Sequence, residues 1–175
     1  MIHITLGSRV DMDPAEDPLG RSHRGWWPGM SDADCYQSNR GRWVLGERAD
    51  HERYALFSAR DGGRKLVRLA VEITAPPEDT GDGRRALRGK ILRAGHPVFD
   101  QYVGQDAPVM GPRNPVTYFE SPLDGQGSCA CGCGELVPLQ RDFLPGHDQR
   151  AIHERIARVG GVREFLDWFD TAWGG

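Results

Sequence analysis

The stretch YALFSARDGGRKLVRLAVEI, residues 54–73, predicts a β-hairpin. Its two ends are strand-like runs, and the segment Asp61-Gly62-Gly63 between them is a turn signal of the hairpin kind, so the two strands should pair antiparallel. In the second run, successive side chains alternate between two faces with a period of two. This pattern is typical of a strand with one face in the core and the other partly exposed to solvent. The hairpin therefore indicates a β-rich body.

Further strand-like runs lie on both sides of this hairpin. They cover residues 42–45, 86–92 and 115–120, and residues 97–104 read as a strand or a short helix. Ser31 is a candidate N-cap for a helix of about two turns, and residues 8–30 read as an irregular N-terminal arm. Five or so short strands at this spacing predict an α+β protein whose first domain, residues 1–120, is a small closed or partly closed barrel.

Composition and charge narrow the class of protein. A chain of 175 residues is long enough to bury a hydrophobic core. The net charge of −3 excludes a global basic footprint for phosphate binding, although a local basic run lies between Arg84 and Arg93. No apolar stretch approaches the roughly 20 residues of a membrane span, and the first residues lack a signal-peptide pattern, so we expect a cytoplasmic protein without membrane association.

Three cysteines within five residues predict a metal site, because disulfides are rare in a reducing compartment. The run is Cys129-Ala130-Cys131-Gly132-Cys133-Gly134, and the dipeptide Gly146-His147 follows. Glycine permits the sharp turns that bring such close thiolates around one ion. Cys129, Cys131, Cys133 and His147 are therefore the candidate ligands of one structural zinc ion in a closed tetrahedral site.

Three alternatives for this segment stay open. The cysteines are free thiols in a glycine-rich loop, or the zinc is catalytic, with Asp148 or Glu135 as a general base. In the third, one of the three thiols does not bind the metal, and Cys35 or His153 takes its place.

The C-terminal segment, residues 121–175, combines this knuckle with two short helices. The first carries Ile152, Ile156 and Val159 on one side and ends at Gly160-Gly161; the second has apolar residues at helical spacing from Val162 onward. Neither helix is long enough to be stable alone.

The knuckle sequence, CACGCG at residues 129–134 with FLPGHD at residues 143–148, resembles a zinc motif of bacterial and phage DNA-processing proteins. Residues 26–120 resemble the barrel-like accessory domains of bacterial restriction-type proteins, which are related to the PUA and EVE families that bind modified bases. The residues that carry this second resemblance include Arg40-Gly41-Arg42-Trp43, Leu87-Arg88-Gly89, Tyr102-Val103-Gly104 and residues 114–118. The resemblance implies a reader of modified or flipped DNA bases, here without a joined nuclease domain.

Such a reader needs aromatic faces for stacking, polar groups for the base edge, and cations for the flanking phosphates. The candidate aromatics are Trp26, Trp27, Trp43, Tyr102 and Tyr118; the candidate edge readers are Asn114 and Asp100; and the candidate phosphate contacts are Arg84, Arg85, Arg88 and Arg113.

Two other functions compete with a DNA reader. An enzyme acting on nucleotides or nucleic acid would use His96, Asp100 and Tyr102, which should then converge in one cleft. The familiar nucleotide-loop, serine-hydrolase and metalloprotease motifs are missing. A zinc-stabilised protein-interaction module would instead bind a partner through the C-terminal helices, with an exposed apolar patch around Phe165, Trp168, Phe169 and Trp173.

Overall fold

The structure is a computed structural model that describes residues 1–110, 114–138 and 141–173. The chain forms two compact units, Met1–Asp124 and Gly125–Gly175. The strands of the first unit are β1 Ile2–Thr5, β2 Val10–Asp11, β3 His23–Arg24, β4 Tyr54–Asp61, β5 Arg64–Asp79, β6 Arg85–Ile91 and β7 Val116–Tyr118. Its helices are α1 Asp32–Asn39, a 3₁₀ helix Glu47–His51, and α2 Pro97–Tyr102. Strands and helices both occur, as an α+β class requires.

The predicted hairpin is confirmed as β4 and β5. The two strands pair antiparallel from Tyr54 opposite Glu72 to Asp61 opposite Arg64. Gly62 and Gly63 form the turn with φ values of 54° and 86°, a conformation that suits the twist of a two-residue hairpin and that glycine adopts without strain. The hairpin lies near the middle of a five-stranded sheet in the order β6-β5-β4-β1-β7.

Strand β1 supplies a central element of this sheet that the sequence pattern does not indicate. It pairs parallel with β4 on one side and antiparallel with β7 on the other. The segment between β1 and β4 contains the short β2–β3 ladder and α1, whose N-cap is Ser31, as predicted. The irregular arm expected at residues 8–30 therefore includes a two-stranded ladder.

The expected barrel closure is absent from the described strands, because the sheet is open and β6 and β7 lie at its opposite edges. Side chains of β4 alternate between two buried clusters. Ala55 and Phe57 join one cluster with residues of α1 and the 3₁₀ helix, whereas Tyr54 and Leu56 join another with Val98 of α2. A barrel buries one interior face, whereas this sheet is buried on both faces, which is why it stays open.

One other sequence assignment is wrong, and a second is resolved in favour of one of its two alternatives. Residues 42–45, expected to be a strand, form only one isolated bridge, between Trp43 and Arg85. Residues 97–102, which read as strand or helix, are helical as α2, with Pro97 at the first helical position.

The second unit consists of a two-stranded ladder and two helices. β8 Gln126–Ser128 pairs antiparallel with β9 Leu136–Pro138, and α3 His147–Val159 and α4 Val162–Trp173 follow. Gly160 and Gly161 separate the two helices, as predicted. Asp148 lies in the first turn of α3, and Gly146, with a φ of 79°, is the N-cap residue of this helix.

Among the described residues, the helices are all too short or too polar to cross a lipid bilayer.

Candidate metal centre and arginine-lined cleft

The predicted metal ligands come together in the second unit. Cys129, Cys131 and Cys133 lie in the loop that joins β8 to β9, and His147 is the first residue of α3. Gly132 has a φ of 89° in this loop, so the chain reverses between the second and third cysteines. The amide of Cys129 donates to the carbonyl of Glu135 (2.8 Å), which closes the base of the loop.

The distances between the ligand atoms fit a tetrahedral ion. The Nδ1 atom of His147 lies 3.7 Å from the sulfur of Cys129, 3.3 Å from that of Cys131 and 3.5 Å from that of Cys133. The Cys129 and Cys131 sulfurs are 3.4 Å apart, and all four ligand atoms lie within 4.8 Å of one another. Metal–sulfur bonds of about 2.3 Å and a metal–nitrogen bond of about 2.0 Å give tetrahedral edges of roughly 3.5 to 3.8 Å.

Backbone amides support the sulfur atoms. The amide of Leu144 donates to the Cys129 sulfur (3.5 Å), and that of Cys133 donates to the Cys131 sulfur (3.4 Å). Burial opposes ionisation of Cys129, but hydrogen bonds to its sulfur outweigh burial and lower its pKa to about 6. Burial and its two cysteine neighbours raise the pKa of Cys131 to about 11. The protein alone therefore does not favour a thiolate at Cys131, whereas a bound cation would.

Neither of the proposed substitute ligands belongs to this cluster. Cys35 lies in α1 within the core of the first unit, where burial, with a smaller contribution from Asp32, raises its pKa to about 12. His153 is exposed on α3. The four described ligand candidates are the ones that the sequence pattern indicates, and all three cysteines are free of disulfides.

A separate cleft of about 640 Å³ lies in the first unit. Its walls come from the end of β1, the β2–β3 ladder, the α1 C-terminus with the following loop, and the segment before β7. The side chains with chemistry for ligand binding are Arg21, Arg24, Asn39, Arg42, Trp43, Arg84 and Asn114.

Two aspartates hold part of the arginine set in place. Arg21 donates from Nε and from one terminal nitrogen to the two carboxylate oxygens of Asp17, both at 2.8 Å, and the side chains are 9% and 3% exposed. Hydrogen bonds from Arg21, opposed by burial, lower the pKa of Asp17 to about 2. Arg42 forms a two-point contact with Asp82, at 2.5 and 3.1 Å.

Arg24 is the cleft arginine with an uncommitted guanidinium. It is exposed at the end of β3, and within the described part of the chain no hydrogen bond or ion pair occupies its side chain. Arg84 is also exposed; it donates to the carbonyl of Arg42 (3.1 Å) and lies 3.7 Å from Asp82. Arg42 has a φ of 64°, an uncommon backbone conformation for a residue with a side chain. Such outliers cluster at binding sites.

The cleft also contains an aromatic ring and an amide. Trp43 is half-buried, and its indole Nε1 donates to the carbonyl of Asn39 (2.7 Å), which fixes the ring orientation. Asn114 is exposed; its Oδ1 accepts from the amide of Val116 (3.0 Å), so its NH2 group is directed away from that bond. The amide of Asn39 is fully used within the protein, by Gly25 and Cys35.

The structure distributes the predicted nucleic-acid residues unevenly. Arg84 and Asn114 line the cleft, whereas Arg88 is exposed on β6 outside it. Arg85 is bound to Asp50 and to the carbonyl of Pro77. Arg113 lies outside the described residues.

The other predicted aromatics are largely occupied by the protein itself. The guanidinium of Arg68 lies 4.4 Å from the ring centroid of Trp26, and that of Arg9 lies 4.7 Å from that of Trp27. The two tyrosines also contact other side chains of the protein. The Tyr102 hydroxyl is 2.8 Å from the Ser121 hydroxyl, and the guanidinium of Arg48 lies 4.9 Å from the ring centroid of Tyr118. These four rings do not line the cleft.

The residues of the enzyme hypothesis have local structural roles. His96 caps α2 and accepts from the amide of Val98 (3.2 Å), and Asp100 accepts from the amide of Gly95 (3.0 Å). Neither residue lines the cleft, and nor does Tyr102.

Sequence reasoning missed Arg21 and Arg24 as cleft residues. They lie in the run Gly20-Arg21-Ser22-His23-Arg24-Gly25. Two arginines between glycines in this run could have indicated a loop that binds an anion. Arg42 and Trp43 follow Gly41 in a second run of the same type. Comparisons of the chain with protein-family models, with curated proteins and with solved structures found no match.

Proposed function

We propose that this protein binds DNA through the arginine-lined cleft, as a reader of a flipped or modified base, and that the second unit is held together by a structural zinc ion. The observation that carries this proposal is the group of four arginines around a cleft that also contains Trp43 and Asn114. Each of these residue types meets one requirement of a base reader.

The charge balance of the cleft favours an anionic ligand. Four arginines line it, and the two aspartates paired with them, Asp17 and Asp82, leave a surplus of two positive charges within this group. The chain as a whole carries −3, so the cleft is a local exception. The positive potential of such a cleft raises the local concentration of anions, even on a protein whose net charge is negative.

Arg24 and Arg84 are the proposed phosphate contacts. Both are exposed, and Arg24 has its full set of donors available for a phosphate oxygen, which a guanidinium binds at two points. Arg21 and Arg42 are anchored by their carboxylates and shape the wall of the cleft.

Trp43 and Asn114 are the proposed base contacts. The volume lies in the 300–1,000 Å³ range that is typical of sites for one small ligand and is sufficient for a nucleotide. The fixed indole offers a surface for stacking, and the amide of Asn114 offers donors for the edge of a base. The proposal keeps the function that the resemblance to PUA and EVE domains implies, which is the binding of a modified base. It does not keep their closed barrel, because the sheet of the first unit is open.

Zinc is the proposed ion because it prefers three thiolates and one imidazole in a closed tetrahedron. All four positions are protein ligands, so no position remains for a reacting water, and the ion has a structural role.

Binding to modified and unmodified DNA duplexes, measured at two salt concentrations, tests the proposal. We expect Arg24→Ala to weaken binding and to lower the slope of log affinity against log salt by about one, because one phosphate contact is lost. Arg88→Ala is the matched control, since it removes the same charge from an exposed position outside the cleft. We expect it to change the slope less.

A modification-dependent difference in affinity that Asn114→Ala abolishes would support base reading. Equal effects of Arg24→Ala and Arg88→Ala, or the absence of binding to either duplex at low salt, would contradict the cleft as the DNA site.

A further inference from the structure

The two C-terminal helices carry most of the large apolar side chains that are exposed in the described residues. On α3 these are Ile152 and Val159, and on α4 they are Val162, Leu166, Trp168, Phe169 and Trp173, with exposures from 46% to 75%. No residue of α4 is buried. A 12-residue helix is marginal in water without burial of an apolar face, so this surface needs a cover.

Most of these exposed side chains belong to continuous apolar stripes, which the half-buried Ile156 and Phe165 complete. Val162, Phe165, Leu166, Phe169 and Trp173 follow the spacing i, i+3, i+4, i+7 and i+11, which places them on one side of α4. Ile152, Ile156 and Val159 form the corresponding stripe on α3. The helices contact each other and are joined by Gly160-Gly161, so the two stripes lie on one helix pair.

We propose that this helix pair is a dimerisation surface that binds the same helix pair of a second copy of the chain. The size of the surface supports a second copy. The six exposed side chains that belong to the two stripes leave on the order of 600 Å² of apolar area, which is most of the roughly 800 Å² that each partner buries in a standard stable interface.

The charges of the two helices favour a particular pairing. Asp170 borders the apolar stripe of α4, because it lies four residues after Leu166. Arg155 borders the stripe of α3, three residues after Ile152. Contact between the α4 stripes of two copies would bring the two Asp170 carboxylates to the same interface. Contact of α4 with the α3 of the second copy pairs carboxylates with guanidiniums, and a two-fold axis satisfies both copies at once.

Sedimentation equilibrium of the zinc-loaded full chain over a range of concentrations tests this pairing. We expect a dimer of twice the 19.5 kDa chain mass. Val162→Asp should weaken dimerisation by about tenfold or more, because it buries a carboxylate. Val162 is the first residue of α4, where an aspartate favours the helix, so loss of the dimer would not reflect loss of the helix.

Val44→Asp is the matched control, since Val44 is 66% exposed in the first unit and Val162 is 61% exposed. We expect Val44→Asp to leave the dimer intact and Trp173→Ala to weaken it. A monomer at all concentrations would overturn the proposal. This holds whether the tryptophan emission of that monomer indicates rings that are exposed to solvent or rings that are covered. Equal weakening by Val44→Asp and Val162→Asp would also overturn it.

Discussion

The two units of this protein are stabilised in different ways. The first unit has buried clusters on both faces of its sheet, including large side chains such as Tyr54, Phe57 and Leu56 at 0% exposure. In the described part of the second unit, the buried apolar side chains are Cys129, Val137 and Ala151. Apolar burial offsets the chain entropy of the first unit. The second unit has little of it, and we propose that a metal ion bound by the Cys129, Cys131, Cys133 and His147 cluster supplies the missing stability.

Removal of one metal ligand should produce the largest effect and should be confined to the second unit. We expect Cys131→Ser to abolish stoichiometric zinc binding and to unfold residues of the second unit, because structural zinc contributes about 10–16 kcal/mol of apparent binding free energy in small zinc-folded peptides. Metal content and hydrogen exchange of α3 amides measure this outcome.

The matched control is Cys35→Ser, the same substitution at a buried position in the first unit. It should leave the metal content unchanged and lower the stability of the first unit only. Loss of metal from Cys35→Ser would contradict the proposed difference in how the two units are stabilised. A folded second unit in Cys131→Ser would contradict it as well.

A cavity in the sheet should produce the reciprocal effect. Phe57→Ala removes a fully buried ring from β4, and we expect a loss of about 3–5 kcal/mol in the unfolding free energy of the first unit. Metal content should be unchanged. Urea unfolding followed by hydrogen exchange of β4 amides checks the size of the loss, and an equal loss of protection in α3 would show that the units are not independent.

The sharpest pH dependence of the first unit should come from His3. This fully buried residue of β1 contacts the hydroxyls of Ser58 (2.9 Å) and Thr117 (3.2 Å). Burial, with a smaller contribution from Lys65, lowers its pKa to about 4 from 6.5. The unfolded chain therefore binds the proton first as the pH falls.

The stability from neutral His3 is complete above pH 6.5 and is lost as the pH falls toward 4, by up to about 3 kcal/mol. His3→Gln keeps polar contacts to the hydroxyls and should flatten this part of the pH profile. The unfolding free energy of the first unit between pH 7 and 4 measures the difference, and parallel profiles for the two proteins would exclude His3 as the cause.

Local sequence signals predicted the hairpin and the candidate metal-binding cluster. The turn residues Gly62 and Gly63 and the close spacing of Cys129, Cys131 and Cys133 act within a few residues, so their geometry follows from the chain itself. His147 followed from the ligand count of zinc.

Features that depend on distant residues were not predictable in the same way. β1 is short, carries the polar His3, and belongs to the sheet because of parallel pairing with β4, which no local pattern reports. The open sheet follows from the helices that cover both of its faces, and apolar runs such as residues 54–57 look alike in an open sheet and in a barrel. The cleft combines Arg24, Arg42 and Arg84, which only the tertiary fold brings together.

The most direct test of the contrast between the units is an amide-resolved NMR spectrum of the zinc-loaded chain before and after chelation. We expect the signals of residues 125–173 to collapse to the narrow range of an unfolded chain, while those of β1, β4 and β5 keep their positions. Unchanged signals in both units after removal of the metal would contradict the account, and so would simultaneous loss of both.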